Sequence, residues 1–234
     1  MESTKALAKL PNEASYVLLS NYGRFPRDDH SVFRKNTDMT KNFIAGISSK
    51  APRSVIFTSS VCMYGRPPVK IPCKESQGID PTHYGLSKFV SENLLKLNLS
   101  CPLTILRIPG TYGPGDKGKS VVASFMEKIK DNKEIVLTGD GSQKRDFLYV
   151  GDVVSGITNF LEKPENTVVN FTSGQSLSLN DLVGVIGRHF NVDPKVSYHG
   201  DSSKEFDLTF DRSKILELMP SFVPTKIEDG IKNM

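Results

Sequence analysis

Several short stretches of this chain are apolar at nearly every position: Tyr16-Val-Leu-Leu19, Val55-Ile-Phe57, Leu103-Thr-Ile-Leu-Arg-Ile108 and Val168–Phe171. A strand with one face in water alternates apolar and polar residues, whereas a strand without alternation needs cover on both faces. Between these runs lie segments with helical periodicity. Strands alternating with helices, each strand apolar on both sides, predict an α/β fold with a mostly parallel sheet covered on both faces. At 234 residues the chain can form one large domain or two small ones and bury a real core.

Taken in order, residues 2–10 read as the end of a helix, and Tyr16–Leu19 as a buried strand closed by Ser20-Asn21. A helix is expected over Ser31–Ser48, a strand over 54–58 and a helix over 81–97. Asp80 can cap that last helix, and Pro81 suits its first position, where a missing N–H costs nothing. Leu86, Phe89, Val90 and Leu94 recur at three- and four-residue steps, which predicts one buried face. The strand 103–108 ends at Pro109-Gly110. A helix over 120–131, a strand over 134–138, and Asp146–Val150 leading into a helix over 152–162 follow. After a strand over 168–171 comes a helix over Leu179–Phe190 capped by Ser178. The tail reads as a strand near 195–198 and short helices near 212–218 and 226–233.

Composition narrows the function class. Thirty basic against 26 acidic residues give a charge of +4, too mild and too evenly spread to argue for nucleic acid. Cys62, Cys73 and Cys101 lack metal-ligand spacing and an even count, so reduced thiols are expected. His30, His83 and His189 show no ligand spacing, and no metal is expected. No apolar run reaches membrane-spanning length; a cytoplasmic protein without membrane contact is expected. Asn98-Leu-Ser and Asn170-Phe-Thr fit the glycosylation pattern but carry no weight in that compartment.

The candidate chemistry lies between Arg53 and Leu95. Val55-Ile-Phe57 breaks into Thr58-Ser59-Ser60, and the helix beyond carries Tyr84 and Lys88, four apart and therefore on one side. A phenol titrates near 10 and is a poor base at neutral pH, while an ammonium within a few ångströms favours the phenolate. A serine hydroxyl opposite can hold the oxygen whose proton moves. The plain alternative is a surface Tyr and Lys, because YxxxK occurs by chance in many proteins.

Phe57-Thr-Ser-Ser-Val-Cys-Met-Tyr-Gly65 followed by Tyr84-Gly-Leu-Ser-Lys88 resembles the extended short-chain dehydrogenase/reductases, the nucleotide-sugar epimerases and dehydratases. Leu106-Arg-Ile-Pro-Gly-Thr-Tyr-Gly-Pro-Gly115, Gly139–Val153 (with Arg145-Asp-Phe147) and Asn170-Phe-Thr-Ser-Gly174 keep that family's order and spacing, and the resemblance runs from about residue 14 onward. It implies a truncated Rossmann-like, doubly wound parallel sheet with a smaller C-terminal α/β substrate-binding part. The division would be 1–112 with 143–172 as a partial dinucleotide-type domain, and 113–142 with 173–234 as the substrate part. It further implies Ser60, Tyr84 and Lys88 as catalytic residues. Ser20, Asn36, Thr58, Tyr84, Lys88 and Pro109 would face NAD or NADP, NAD being favoured, and Ser60 and Arg145 a nucleotide-sugar substrate. A homodimer paired through helices, the one carrying Tyr84 and Lys88 included, is expected on the same ground.

Departures from the family pattern matter as much. No G-x-x-G-x-x-G or G-x-G-x-x-G follows an early strand, although the family's dinucleotide pyrophosphate sits at such a turn. Aligning Tyr16–Ser20 with the family's fourth strand leaves that strand as an apolar edge. A catalytically inactive fragment or pseudoenzyme is therefore the alternative to an active epimerase or reductase. Val61-Cys62 replaces the acidic pair of the 4,6-dehydratases, which disfavours dehydration. Cys62 stands where the GDP-fucose-forming enzymes keep a cysteine, but their partner histidine is a glycine here, so Cys62 reads as a buried small residue. Arg145 suits a diphosphate through bidentate bonding; the competing assignment pairs it with Asp146 or Asp152. The family's second phosphate-binding arginine is replaced by Tyr198-His-Gly-Asp201. Tyr149 and Asp152 read as structural; His199 could stand in for that arginine but reads as a solvent-exposed histidine, and His83, beside Tyr84, points off its face and reads as having no role. Finally, Gly113-Pro-Gly-Asp-Lys-Gly-Lys-Ser120 satisfies G-x-x-x-x-G-K-S between a strand and a helix. That leaves a P-loop nucleotide-binding protein as a less favoured reading, with Pro114 removing one of the amides that would cradle phosphate.

Overall fold

The computed structural model describes residue 7 and residues 9–23, 27–65, 72–76, 82–202 and 205–234. Its first elements are β1 (Ser15–Leu18), α1 (His30–Ile47), β2 (Ser54–Ser60), a 3-10 turn (Val61–Tyr64), α2 (His83–Asn98) and β3 (Leu103–Ile108). Then come β4 (Gly110–Tyr112), α3 (Val121–Lys130), β5 (Ile135–Thr138), β6 (Lys144–Arg145), β7 (Phe147–Tyr149) and α4 (Val150–Glu162). Last are β8 (Thr167–Asn170), β9 (Leu177–Ser178), α5 (Leu179–Phe190), β10 (Val196–His199), α6 (Ser213–Leu218) and α7 (Ile227–Lys232). The helix expected over 2–10 lies mostly outside the described residues. The chain divides into two compact units. Unit 1 takes Met1–Arg66, Glu75–Ile108 and Gly156–Asn170; unit 2 takes Pro67–Lys74, Pro109–Ser155 and Phe171–Met234.

Unit 1 is built on a parallel sheet of order β1-β2-β3-β8, in register Tyr16↔Val55, Phe57↔Ile105 and Leu106↔Val169. Six of seven β2 residues and five of six in β3 are buried, as runs without alternation require. Phe43 and Ile47 of α1 pack with Val55, Phe57, Leu95, Leu103 and Ile105. At the sheet's outer end, β1 pairs only with β2 among the described residues. α1 starts where Asp29 accepts the Ser31 N–H at 2.9 Å, an N-cap that satisfies one orphan donor.

Two expectations for α2 need correction. Its N-cap is Thr82, whose hydroxyl accepts from the Gly85 N–H; Asp80 and Pro81 lie outside the described residues. Its buried face is not the apolar stripe. Gly85, Ser87, Lys88, Ser91, Glu92 and Leu95 are buried, whereas Leu86 is 37% exposed and Phe89, Val90 and Leu94 are half-buried. The neighbours explain this. Thr40 of α1 donates to Ser91 Oγ at 2.9 Å and Ser59 of β2 donates to Glu92 at 2.5 Å, so the surfaces α2 packs on are themselves polar.

Unit 2 combines three strand pairs, parallel β5–β10 and β4–β7 and antiparallel β6–β9. Its core gathers Tyr112, Val122, Phe125, Ile135, Leu182 and Ile186. α5 begins with a full capping box, Ser178 and Asp181 each holding the other's N–H. It ends at Asn191 in the left-handed region (φ 54°), which asparagine tolerates. Asp152 accepts the N–H and hydroxyl of Thr225 at 2.9 and 2.8 Å, and Tyr149 packs edge-on to Tyr112 at 5.8 Å.

Candidate functional site

Lys88 is 3% exposed, and an ammonium so placed must find acceptors. Its Nζ donates to the carbonyls of Ser20 (3.4 Å) and Thr58 (3.2 Å). These carbonyls stand just beyond β1 and within β2, near the C-terminal ends of neighbouring parallel strands. The same Nζ lies 5.1 Å from the Phe57 ring centroid and 5.8 Å from that of Tyr84. Burial pushes the Lys88 pKa down to about 8, with Cys62 and Glu92 pulling it back upward. The group is therefore a cation at neutral pH that loses its charge just above it.

Tyr84, half-buried, sits one turn before Lys88. Its N–H donates to Asp28 Oδ1 at 2.8 Å, which ties the first turn of α2 to the segment before α1. Ser60 closes β2, is 8% exposed, and its Oγ accepts the Cys62 N–H at 3.2 Å, so the hydroxyl hydrogen is left to donate. Thr58 spends its own hydroxyl on the Leu18 carbonyl at 3.3 Å. Asn36 is buried; its amide takes the Tyr22 N–H at 2.8 Å and donates to the Tyr22 and Val32 carbonyls at 3.0 and 3.1 Å. It pins the segment that follows β1. Lys88 thus brings Ser20, Thr58 and Tyr84 together within unit 1. Cys62 is half-buried rather than buried, a correction that follows from its place in the exposed side of the 3-10 turn.

Pro109 and Arg145 belong to unit 2. Arg145 Nη1 donates to the Lys144 and Phe206 carbonyls at 2.8 and 2.5 Å, its guanidinium carbon lies 5.1 Å from the Phe206 ring, and Nη2 is 3.9 Å from Glu205. The pairing with Asp146 or Asp152 does not occur. Asp146 is committed to the Ser173 and Gly174 N–H groups at 2.9 and 2.8 Å, and burial raises its pKa despite those donors and the Arg212 charge. His199 is exposed, as expected, and His83 is exposed as well.

The P-loop reading fails on its amides. Asp116 Oδ1 already accepts the Lys119 and Ser120 N–H groups at 2.9 and 3.3 Å, and Ser120 Oγ caps α3 through the Ala123 N–H at 3.1 Å. The chain's own carboxylate stands where a phosphate would sit. A cavity of about 390 Å³ borders this loop, lined by Gly113, Pro114, Asp116, Lys119 and Ser120 among others.

Residues 2–172 match the NAD dependent epimerase/dehydratase family. The chain belongs to this family. YtcB of Bacillus subtilis, an uncharacterized UDP-glucose epimerase, is 26% identical over 214 residues, 87% of this chain and 66% of its own. The dTDP-L-rhamnose 4-epimerase of Burkholderia thailandensis is 32% identical over 124 residues, 49% of this chain and 34% of its own. The chain spans about half the length of the curated relatives it matches. Among solved structures, the UDP-glucose 4-epimerase of Thermotoga maritima with UDP-glucose superposes at TM-score 0.86 and 23% identity, covering 99% of this chain and 78% of that one. The UDP-glucuronic acid 4-epimerase of Bacillus cereus with UDP-glucuronic acid and NAD gives 0.85 and 21%, covering 100% and 76%. These likenesses establish the Rossmann-type α/β fold. Among the described residues no helix is long and apolar enough to cross a membrane, and no group of three His, Cys, Asp or Glu could hold a metal.

A buried polar network beneath β2 and β3 was not foreseen. Arg107 donates to Glu92 through Nε (3.0 Å) and Nη2 (2.8 Å), to Tyr64 Oη (2.8 Å) and to the Glu75 carbonyl (2.9 Å). Tyr64 passes its hydrogen to Asn170 Oδ1 at 2.7 Å, and Asn170 donates its N–H to Glu75 at 2.9 Å. Burial alone would lower the Arg107 pKa; the bonds and charge of Glu92 outweigh it, and the net shift is upward. The available signal was an arginine inside an otherwise apolar strand, which needs a partner wherever it is buried.

Proposed function

We propose that this chain acts on a nucleotide-activated sugar as an NAD(P)-dependent epimerase or reductase, with NAD as the favoured cofactor. The observation that carries the reading is the nearly buried Lys88 ammonium, held by two strand-end carbonyls beside the Tyr84 ring. Two of its three N–H groups are engaged among the described residues, and the third suits a ribose hydroxyl. This donor set fits the nicotinamide–ribose end of a dinucleotide, with Ser20, Asn36, Thr58 and Pro109 as the residues about it. When bound, the nicotinamide supplies the hydride acceptor and donor.

Tyr84 takes the proton from a sugar hydroxyl and returns it, and the Lys88 charge stabilises the phenolate between the two events. Ser60 hydrogen-bonds the same oxygen with the hydrogen its Oγ has left. Arg145 holds the substrate's diphosphate, a task its planar fork suits. Unit 1 serves as the dinucleotide-type part and unit 2 as the substrate part. Pairing of two copies through α2 belongs to this reading, supported by the half-exposed apolar stripe of Leu86, Phe89, Val90 and Leu94, and sedimentation of the purified chain tests it.

Calorimetric titration with NAD and with NADP, followed by turnover of UDP-glucose and UDP-glucuronic acid, tests the activity. Tyr84→Phe should lower turnover by about 10²- to 10⁴-fold, and Lys119→Ala should leave it unchanged. Absence of heat with both dinucleotides would end the enzyme reading for this chain.

A further inference from the structure

Arg145 faces a carboxylate that the reading above leaves unused. Glu205 Oε2 lies 3.9 Å from Arg145 Nη2, and the adjoining Phe206 gives the same guanidinium its carbonyl and its ring. One short segment therefore presents an acceptor, an aromatic face and a negative charge to a single arginine. Glu205 is held in place there. Its N–H donates to the Ser202 carbonyl at 3.1 Å, and a Cβ on Gly139, itself at φ +66°, would stand 2.9 Å from Glu205 Cγ. Glycine at 139 makes room for this side chain.

The pair is close without being closed. Charge-assisted N–H···O bonds run at about 2.7–2.9 Å, and Arg107 reaches Glu92 at 2.8 Å. At 3.9 Å, with both side chains partly exposed, Glu205 competes for Arg145 without locking it. We propose that Glu205 is a resident anion of the Arg145 subsite, a charge that an incoming diphosphate must displace, so that it tunes how tightly this subsite takes a nucleoside diphosphate. The proposal rests on Arg145 being the diphosphate-binding residue.

Titration calorimetry of the full chain with UDP tests it. Glu205→Gln should tighten UDP about two- to fivefold, the scale of a solvent-screened pair. The gain should fade between about 0.05 M and about 0.5 M salt as screening shortens the reach of the charge. Glu134→Gln, an exposed carboxylate elsewhere in unit 2, should change nothing. Arg145→Ala should weaken UDP about tenfold or more, with Arg145→Lys, which keeps the charge and loses the fork, falling between; thermal midpoints confirm that each variant folds. If Glu205→Gln binds UDP no tighter than wild type while both Arg145 variants lose it, Glu205 has no such role and the Arg145 assignment stands. An equal gain from Glu134→Gln also removes the proposal, by reducing it to net charge. If Arg145→Ala binds like wild type, or UDP gives no heat with any form, the diphosphate reading falls and takes this proposal with it.

Discussion

In unit 1, Arg107 is enclosed: Glu92 grips Nε and Nη2, Tyr64 and the Glu75 carbonyl take Nη1, and the side chain is 4% exposed. In unit 2, Arg145 donates to the Lys144 and Phe206 carbonyls and faces the Phe206 ring, with the Glu205 carboxylate 3.9 Å away and a quarter of its side chain exposed. The contrast extends beyond these two. The buried side-chain atoms without a hydrogen-bond partner among the described residues, Tyr112 Oη, Gln143 Oε1, Thr172 Oγ1 and Arg212 Nε and Nη2, all lie in unit 2. Unit 1 closes its polar groups on one another, which fixes the ends of β2, β3 and β8 relative to α2. In unit 2 the contact between Arg145 and Glu205, at 3.9 Å, is longer than the one between Arg107 and Glu92.

Breaking the closed network should have the largest effect. Arg107→Met leaves the buried Glu92 carboxylate with the Ser59 hydroxyl but without its counter-charge, and unfolding in urea should show a loss of about 3–5 kcal/mol, most of it recovered by adding Glu92→Leu. A loss below about 1 kcal/mol would mean that the network does not hold unit 1 together.

Lys88 sharpens the same contrast through pH. Its folded pKa is depressed to about 8 from the usual 10.5, with burial the leading cause. The native state then binds fewer protons than the unfolded chain between those two values, so stability rises with pH across that window. Lys88→Met should flatten that rise, which amounts to at most about 3 kcal/mol, as read by denaturation midpoints at about pH 7 and about pH 10. In turnover assays, wild-type activity should decline as pH passes about 8 and the ammonium is lost.

Within unit 2 the expected costs are smaller. Gly230→Ala would place a Cβ 2.2 Å from the Tyr112 hydroxyl and should cost about 1–3 kcal/mol by overpacking. Because that hydroxyl has no hydrogen-bond partner among the described residues, Tyr112→Phe should be near neutral alone and should relieve Gly230→Ala in the double variant. A costly Tyr112→Phe would show that unit 2 is closed after all. The smallest effect is expected for Glu205→Gln on stability, below about 1 kcal/mol, since an exposed pair contributes little.

Much of the fold was legible because its signals are local. α5 occupies Leu179–Phe190 as expected, since its capping residues and its periodicity lie within a few residues of each other. The parallel sheet followed from unalternated apolar runs. The buried face of α2 was misjudged because an apolar stripe marks the buried side only when the surfaces it meets are apolar. Here Thr40, Ser59 and the Thr58 carbonyl meet Ser91, Glu92 and Lys88 instead. The Tyr84–Lys88 spacing was readable. Its carbonyl partners, 68 and 30 residues away, were not.

Residue order alone determined the alternation of strand and helix and the helical step that puts Tyr84 above Lys88, because each depends on contacts between near neighbours in the chain; the need for a sheet covered on both faces followed from the unalternated apolar runs. Tertiary structure decided which carboxylate each arginine meets and how closely. Whether a guanidinium meets Glu92 at 2.8 Å or Glu205 at 3.9 Å depends on how separate segments pack, and a charge-assisted hydrogen bond made at the shorter distance is no longer made at the longer one.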